Sequence, residues 1–289
     1  MIGYRAGMPV AVVTDSTAYL PAELAGRHAL TVVPLVVVRN GVEGLEGVEV
    51  SPADVAAALT ARRVAVSTSR PAPEQFAEAY RRLFDAGADA VLSVHLSARL
   101  SGTHEAAALA ATEFGDRVSV VDARSTGMGL GFPALAAGAA AARGEDLDGV
   151  RQAALDTIAR THTFFYVDTL EFLRRGGRIT AAEAFLGTAL SVKPILHVVD
   201  GTIAVRDKVR TAGRALARLV DLAVEAAGDG AVDVAVHHLG APQRATDLGD
   251  VLRQRLGDRL RDRYLTEAGA VVAAHVGPGL ACVVVHRRP

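Results

Sequence analysis

Four clusters of hydroxyl-bearing residues punctuate the first half of the chain. Asp15-Ser16-Thr17 follows the first apolar run. Ser67-Thr68-Ser69 stands before Arg70-Pro71. Ser97, Ser101 and Thr103 follow a run ending at His95, and Ser125 with Thr126 follow one ending at Asp122. In an open parallel sheet such positions lie at the carboxyl ends of strands, where ligands bind. Hydroxyls beside helix N-termini suit a carboxylate or a phosphate, because free backbone N–H groups point the same way. Taken singly, each cluster is accounted for by helix capping; four on one rim point to a ligand site. Two further stretches carry compact chemistry. In HVGPG (275–279) the Gly-Pro-Gly forces a tight turn directly after the imidazole of His275, at the end of an expected strand. In LRRGGR (173–178) three arginines surround a double glycine, which reads as a solvated turn or as a guanidinium fork offered to a phosphate or a protein partner. His237 and His238 are adjacent in an expected strand, so only one can face inward.

Several chemistries are excluded by what is missing. There is no G-x-x-x-x-G-K-[ST] phosphate loop, no H-E-x-x-H zinc pair and no G-x-S-x-G nucleophile elbow. Asp15-Ser16-Thr17 lacks the second aspartate of a phosphotransferring D-x-D. The stretch 129–134 fits G-x-G-x-x-A, but its first glycine does not directly follow a strand and no acid stands at a strand end about 20 residues on. A glycine-rich turn that lets a helix pack close to the sheet explains it better. No cofactor or metal is called for.

The elements that must position these residues alternate. Strand patterns at 10–14, 30–38 (interrupted by Pro34), 90–95 and 118–122 are separated by helical patterns at 21–28, 52–61, 73–86 and 101–114, with an Ala-rich helix running to 143. This is the signature of a mostly parallel sheet with helices on both faces. The second half mixes strands at 163–168, 233–238, 270–275 and 281–286 with helices at 211–226 and 242–256. A hairpin, 193–199 and 202–206, turns at Asp200-Gly201. RRGGR is expected between two short helices. The chain therefore reads as α/β, in two α/β domains: 1–160 with the mostly parallel sheet, and 161–289 with a mixed sheet and helices. Its 289 residues suffice for two cores. With 31 basic and 32 acidic residues the net charge is −1, so no general polyanion-binding surface is implied and nucleic acid is a poor partner. Cys282 is the sole cysteine, which excludes an intrachain disulfide and fits the cytoplasm. The stretch 125–142 is uncharged but rich in Ala and Gly, too weakly apolar for a membrane span, and the N-terminal segment has no leader pattern.

Together the motifs resemble the DegV family of fatty-acid-binding proteins, which serve bacterial fatty acid kinases. The matching stretches are VTDSTAYLP (13–21), TSRPAPEQF (68–76), LSARLSGTHEAA (96–107), VVDARSTGMGLG (120–131), DTLEFLRRGGRI (168–179), KPIL with DG and KVRT (193–211), and HVGPG (275–279). The resemblance implies a long-chain acyl tail buried in a tunnel between two α/β domains. It implies a carboxylate held by Thr68, Ser101 and His275, with Ser97 as the rival serine. It also implies a non-catalytic protein that presents the acid to an ATP-dependent kinase partner in phospholipid metabolism, with transient membrane contact left open. Arg178 of GGRI resembles the residue associated with that handover, and Arg206 and Arg210 are weaker candidates. Val276, Ala98, His104, Gly127 and the loop 41–50 depart from the family pattern.

Physics suits this class. A buried methylene contributes about 0.8 kcal/mol, so a tail of roughly 15 offers on the order of 12 kcal/mol before association and ordering costs. The hydroxyls then need only satisfy the headgroup, since an unpaired buried carboxylate is very costly. Two other readings use the same residues: a serine hydrolase of acyl esters using Ser97 or Ser101 with His275, and a phosphate-ester or nucleotide binder on the same rim.

Overall fold

The computed structural model describes residues 10–61, 65–179 and 192–289. The short helix expected after RRGGR and the N-terminal leader question fall outside these residues. Three sheets appear among the described residues. The first is parallel: Leu30–Val33 (β2), Val10–Asp15 (β1), Ala90–His95 (β6) and Val118–Asp122 (β7) lie in that order. Alternation sends Val12 and Val13 of β1 to opposite faces. Val13 packs with Phe76, Tyr80 and Ala107 from Pro73–Asp85 (α3) and Thr103–Ala111 (α4). Val12 joins the core on the other face, with Met128, Leu130 and Ala154 from Met128–Ala142 (α5) and Leu147–Ala159 (α6).

The second sheet is mixed, in the order β10-β9-β8-β13-β11-β12. Its strands are Thr161–Tyr166 (β8), Lys193–Val199 (β9), Thr202–Val209 (β10), Val232–His238 (β11), Leu260–Glu267 (β12) and Ala281–Arg287 (β13). Only β11 and β12 run parallel. Its outer face is covered by Ala212–Ala227 (α8) and Pro242–Leu256 (α9) through Leu219, Leu222, Leu248 and Leu252. The β9–β10 hairpin turns at Asp200 and Gly201, both at positive φ, as a two-residue turn of this hand requires. Helix α5 explains the uncharged stretch. It is apolar all round because it lies against β1 on one side and β8 and β13 on the other. No described helix is long and apolar enough to cross a membrane.

A third, antiparallel sheet was not expected. It joins Val36–Arg39 (β3) to Val42–Leu45 (β4) and Val66–Ser69 (β5). The strand expected over 30–38 is thus two strands in two sheets. Pro34 has no N–H for a ladder, and the chain changes sheets there. Thr68 accordingly lies within an antiparallel strand rather than at the end of a parallel one, so only the clusters after β1, β6 and β7 share the parallel sheet's rim. The strand expected at 270–275 is a helix, Ala270–Val276 (α10), ended by Gly277 at φ +69°. Its run of Ala and Val shows no alternation for a half-buried strand to use. The first half is completed by Ala22–Arg27 (α1) and Pro52–Ala61 (α2), and the second by Glu171–Arg175 (α7). Strand β12 has no run of apolar residues to mark it, being a charged edge strand, LRDRYLTE.

Candidate functional site

The motifs converge. HVGPG folds against DTLEFLRRGGR, and glycine is required where they meet. A Cβ on Gly176 would stand 2.5 Å from Nδ1 of His275, and one on Gly277 would stand 2.2 Å from the Phe172 ring. The double-glycine turn therefore clasps the imidazole. On the ring's other side, Nε2 of His275 and the Thr68 hydroxyl lie 2.8 Å apart, joining residues 207 positions distant in sequence. Arg178 follows the turn. Its Nε donates to the Leu100 carbonyl at 3.1 Å and its Nη1 donates to the Gly176 carbonyl, so it ties the GGR turn to the loop that carries Ser101. Burial, and behind it the Arg178 charge, hold the His275 pKa down at about 4, so the ring is neutral at pH 7.

Thr68, Ser101, Arg178 and His275 all line one cavity of about 320 Å³. The rest of its wall is largely apolar: Leu35, Leu96, Leu100, Phe165, Ile203 and Val271 contribute. Its floor is the inner face of the mixed sheet, where register sets Phe165, Cys282 and His237 side by side on β8, β13 and β11. The Ser101 hydroxyl lies 2.9 Å from the Thr103 hydroxyl and accepts from the Thr103 N–H at 3.3 Å at the start of α4, and Ser101 lines the cavity as well.

Two expected residues lie elsewhere. The Ser97 hydroxyl is fully buried and donates to the Gly201 carbonyl at 2.6 Å, fastening the β9–β10 hairpin to the first half of the chain. Arg206 is exposed on β10, close enough to His197 to lower its pKa behind the effect of burial. Neither serine is hydrogen-bonded to His275, so the pairing that a serine hydrolase needs is not formed. The G-x-G-x-x-A stretch is a packing device inside α5: a Cβ on Gly131 would meet the Ala18 carbonyl at 2.9 Å.

Residues that sequence reasoning passed over hold the site in place. Glu46 is buried, and its carboxylate accepts from the Val271 N–H at 2.8 Å and from the Ser16 hydroxyl. The Tyr19 hydroxyl accepts from the Val272 N–H at 3.1 Å and reaches Glu46 at 3.4 Å. Together they satisfy the start of the short helix whose last turn carries His275. Burial is the main cause that raises the Glu46 carboxyl pKa and the Tyr19 phenol pKa, with the Glu46 charge adding to the latter. The signal for Tyr19 stood in DSTAYLP. Glu46 lay in the loop 41–50, where no motif marked it. Among the described residues no cluster of His, Cys, Asp and Glu could hold a metal ion.

The cavity of this α/β fold is mostly apolar and is closed at one side by hydroxyls, a neutral imidazole and a guanidinium, groups that can pair with an acidic head while the wall holds an apolar chain. The chain belongs to the DegV family: the family model, described as "Uncharacterised protein, DegV family", matches residues 9–288. A DegV domain-containing protein of Streptomyces coelicolor is 53% identical over 279 residues, covering 96% of this chain and 99% of its own. Two solved structures are similar throughout. A fatty-acid-binding DegV family protein from Thermus thermophilus has a TM-score of 0.89 at 35% identity, covering 97% of this chain and 100% of that one. DegV from Bacillus subtilis, described as a fatty acid binding protein, has a TM-score of 0.88 at 30% identity with the same coverage.

Proposed function

We propose that this protein binds a long-chain fatty acid, with the carboxylate at Thr68, Ser101 and His275 and the tail in the apolar cavity. In this reading the chain divides near residue 160 into two α/β domains, and the acyl tunnel runs between them. The observation that carries the proposal is the convergence of three separate motifs, around residues 68, 101 and 275, on one apolar cavity. A neutral imidazole can donate from Nε2 to Thr68 Oγ1, which leaves the threonine proton free for a carboxylate oxygen. Ser101 supplies a second hydroxyl. A buried carboxylate so supplied avoids the cost of going unpaired.

The protein then acts as a carrier rather than an enzyme, presenting the carboxylate to an ATP-dependent fatty acid kinase. Arg178, at the site's edge, and the exposed Arg206 serve the handover; that step rests on the resemblance of the GGRI motif. Native mass spectrometry of freshly purified protein tests the binding step. A non-covalent adduct with the mass of a long-chain acid is expected, lost on denaturation; the apo mass alone after incubation with oleate and palmitate overturns it. Arg178→Ala is expected to retain the acid while phosphorylation by a cognate kinase falls. Loss of retention equal to that in Ser101→Ala would return Arg178 to the headgroup site.

A further inference from the structure

Of the described residues that line the cavity, only Ser69 and Arg70 are exposed. The same two also line an outer groove, beside Val36, Glu43, Pro71 and Gln75. The cavity therefore opens where β5 ends, just beyond Thr68. Arg70 crosses this mouth. Its Nη1 donates to the Glu105 carboxylate on α4 at 2.6 Å, and on the way its side chain lies against Gly102, the residue after Ser101. A Cβ on Gly102 would stand 2.7 Å from that Nη1 and 2.8 Å from the Arg70 Cδ. Gly102 has φ −75° and ψ 10°, a conformation that alanine also adopts. Its missing side chain makes room for Arg70 and is not needed by the backbone.

The hydroxyls proposed to meet the acid come from two segments: Thr68 from β5, and Ser101 from the loop before α4. The Arg70–Glu105 ion pair joins one to the other on the solvent side. We propose that Arg70 is the latch of the cavity's mouth: paired with Glu105 across Gly102, it holds the Thr68 strand to the Ser101 loop and sets how fast an acyl acid enters and leaves. This deepens the carrier reading and rests on it. Arg70 acts through the two segments it joins, so it is a positioning residue. The pair includes none of the groups at the headgroup site, so it holds free and loaded protein alike. Breaking it speeds entry and release together and leaves affinity nearly unchanged. Both partners are at least half exposed, and exposed pairs are weak, so the latch slows exchange by a small factor.

Stopped-flow release of cis-parinaric acid, chased by excess oleate, tests this on the full chain. The proteins are wild type, Arg70→Gln, Glu105→Gln, the double variant and Gly102→Ala. Arg70→Gln and Glu105→Gln should each release the acid about twofold to fivefold faster, the range an exposed ion pair supports, with Kd within about twofold of wild type. The double variant should be no faster than either, because both lose the same contact. Gly102→Ala keeps both charges and displaces only the far end of Arg70, and it should release faster as well. Release at the wild-type rate by any of the three single variants overturns the latch, and so does additive acceleration in the double variant. Slower release by Glu105→Gln with weaker binding by Arg70→Gln would also overturn it, placing the guanidinium on the carboxylate instead. If wild type binds neither parinaric acid nor oleate, the carrier reading falls and the latch with it.

Discussion

Two of the imidazole–hydroxyl arrangements among the described residues differ in everything except their chemistry. In the first, Asp15 Oδ2 stands 3.0 Å from His95 Nδ1, and His95 Nε2 stands 2.7 Å from Ser93 Oγ, which also accepts from the Tyr80 hydroxyl at 2.8 Å. Asp, His and Ser are in the order of a hydrolytic triad. Yet every member is wholly buried, and Phe76 covers the His95 ring edge-on at 4.9 Å. In the second, Thr68 and His275 meet at a cavity wall, with Arg178 and Ser101 lining the same space. The better-formed triad cannot meet a substrate, whereas the simpler pair can. Access, and not the constellation of residues, separates a structural network from a site. The first arrangement joins neighbouring parallel strands at their carboxyl ends. The second brings together a three-stranded sheet and a short helix that are far apart in sequence.

The largest expected effect tests the structural side. Asp15 accepts from the Thr17 N–H at 3.1 Å, the Thr17 hydroxyl at 2.6 Å and the Leu96 N–H at 2.9 Å, besides facing His95. Asp15→Ala orphans all of these in a sealed interior. Urea unfolding should show a loss of about 3–5 kcal/mol. An Asp15→Ala protein as stable as wild type would break the comparison, since the network would then hold nothing together.

The next effect tests the site side. Thr68→Val keeps the shape of the side chain and removes the hydroxyl proposed to meet the carboxylate. A hydrogen bond to a charged group is worth about 1.5–3 kcal/mol, so retention of a fatty acid should fall roughly tenfold to hundredfold. Thermal stability of the ligand-free protein should hardly move, because Thr68 is only partly buried. Displacement of a fluorescent acyl probe measures the first quantity and a thermal melt the second. A large drop in stability with unchanged retention would reverse the roles assigned to the two arrangements.

Much of this organisation was legible in the sequence. Alternation and capping encode the parallel strands, Asp200-Gly201 marks its hairpin, and the motifs that carry Thr68, Ser101, Arg178 and His275 all reach one cavity. The misses share a cause. Segment 270–276 is helical because Glu46 and Tyr19, more than 200 residues away, satisfy its first N–H groups, and no local pattern encodes that. Ser97 looked equivalent to Ser101 because both stand in one loop. Only the arrival of the Gly201 carbonyl shows that its hydroxyl is already used.

The smallest expected effect concerns protons at the mouth. In the folded chain His275 titrates at about 4, held down first by burial and then by Arg178, whereas an unfolded histidine titrates near 6.5. Between these values the unfolded chain binds more protons, so stability rises with pH across that window and is lost as pH falls from 6.5 toward 4. His237 and His286 are depressed to about 4 as well, chiefly by burial, so wild type should show a steep slope. The share due to His275 is the difference between wild type and His275→Asn. It should amount to about 1 kcal/mol between pH 7 and pH 4.5, discounted because the ring is not fully shielded from solvent. A bound carboxylate beside the ring opposes the Arg178 charge and raises the His275 pKa toward its ordinary value. Saturation with palmitate should therefore flatten the His275 share of the slope. If that share is the same with and without the acid, the carboxylate does not lie against His275.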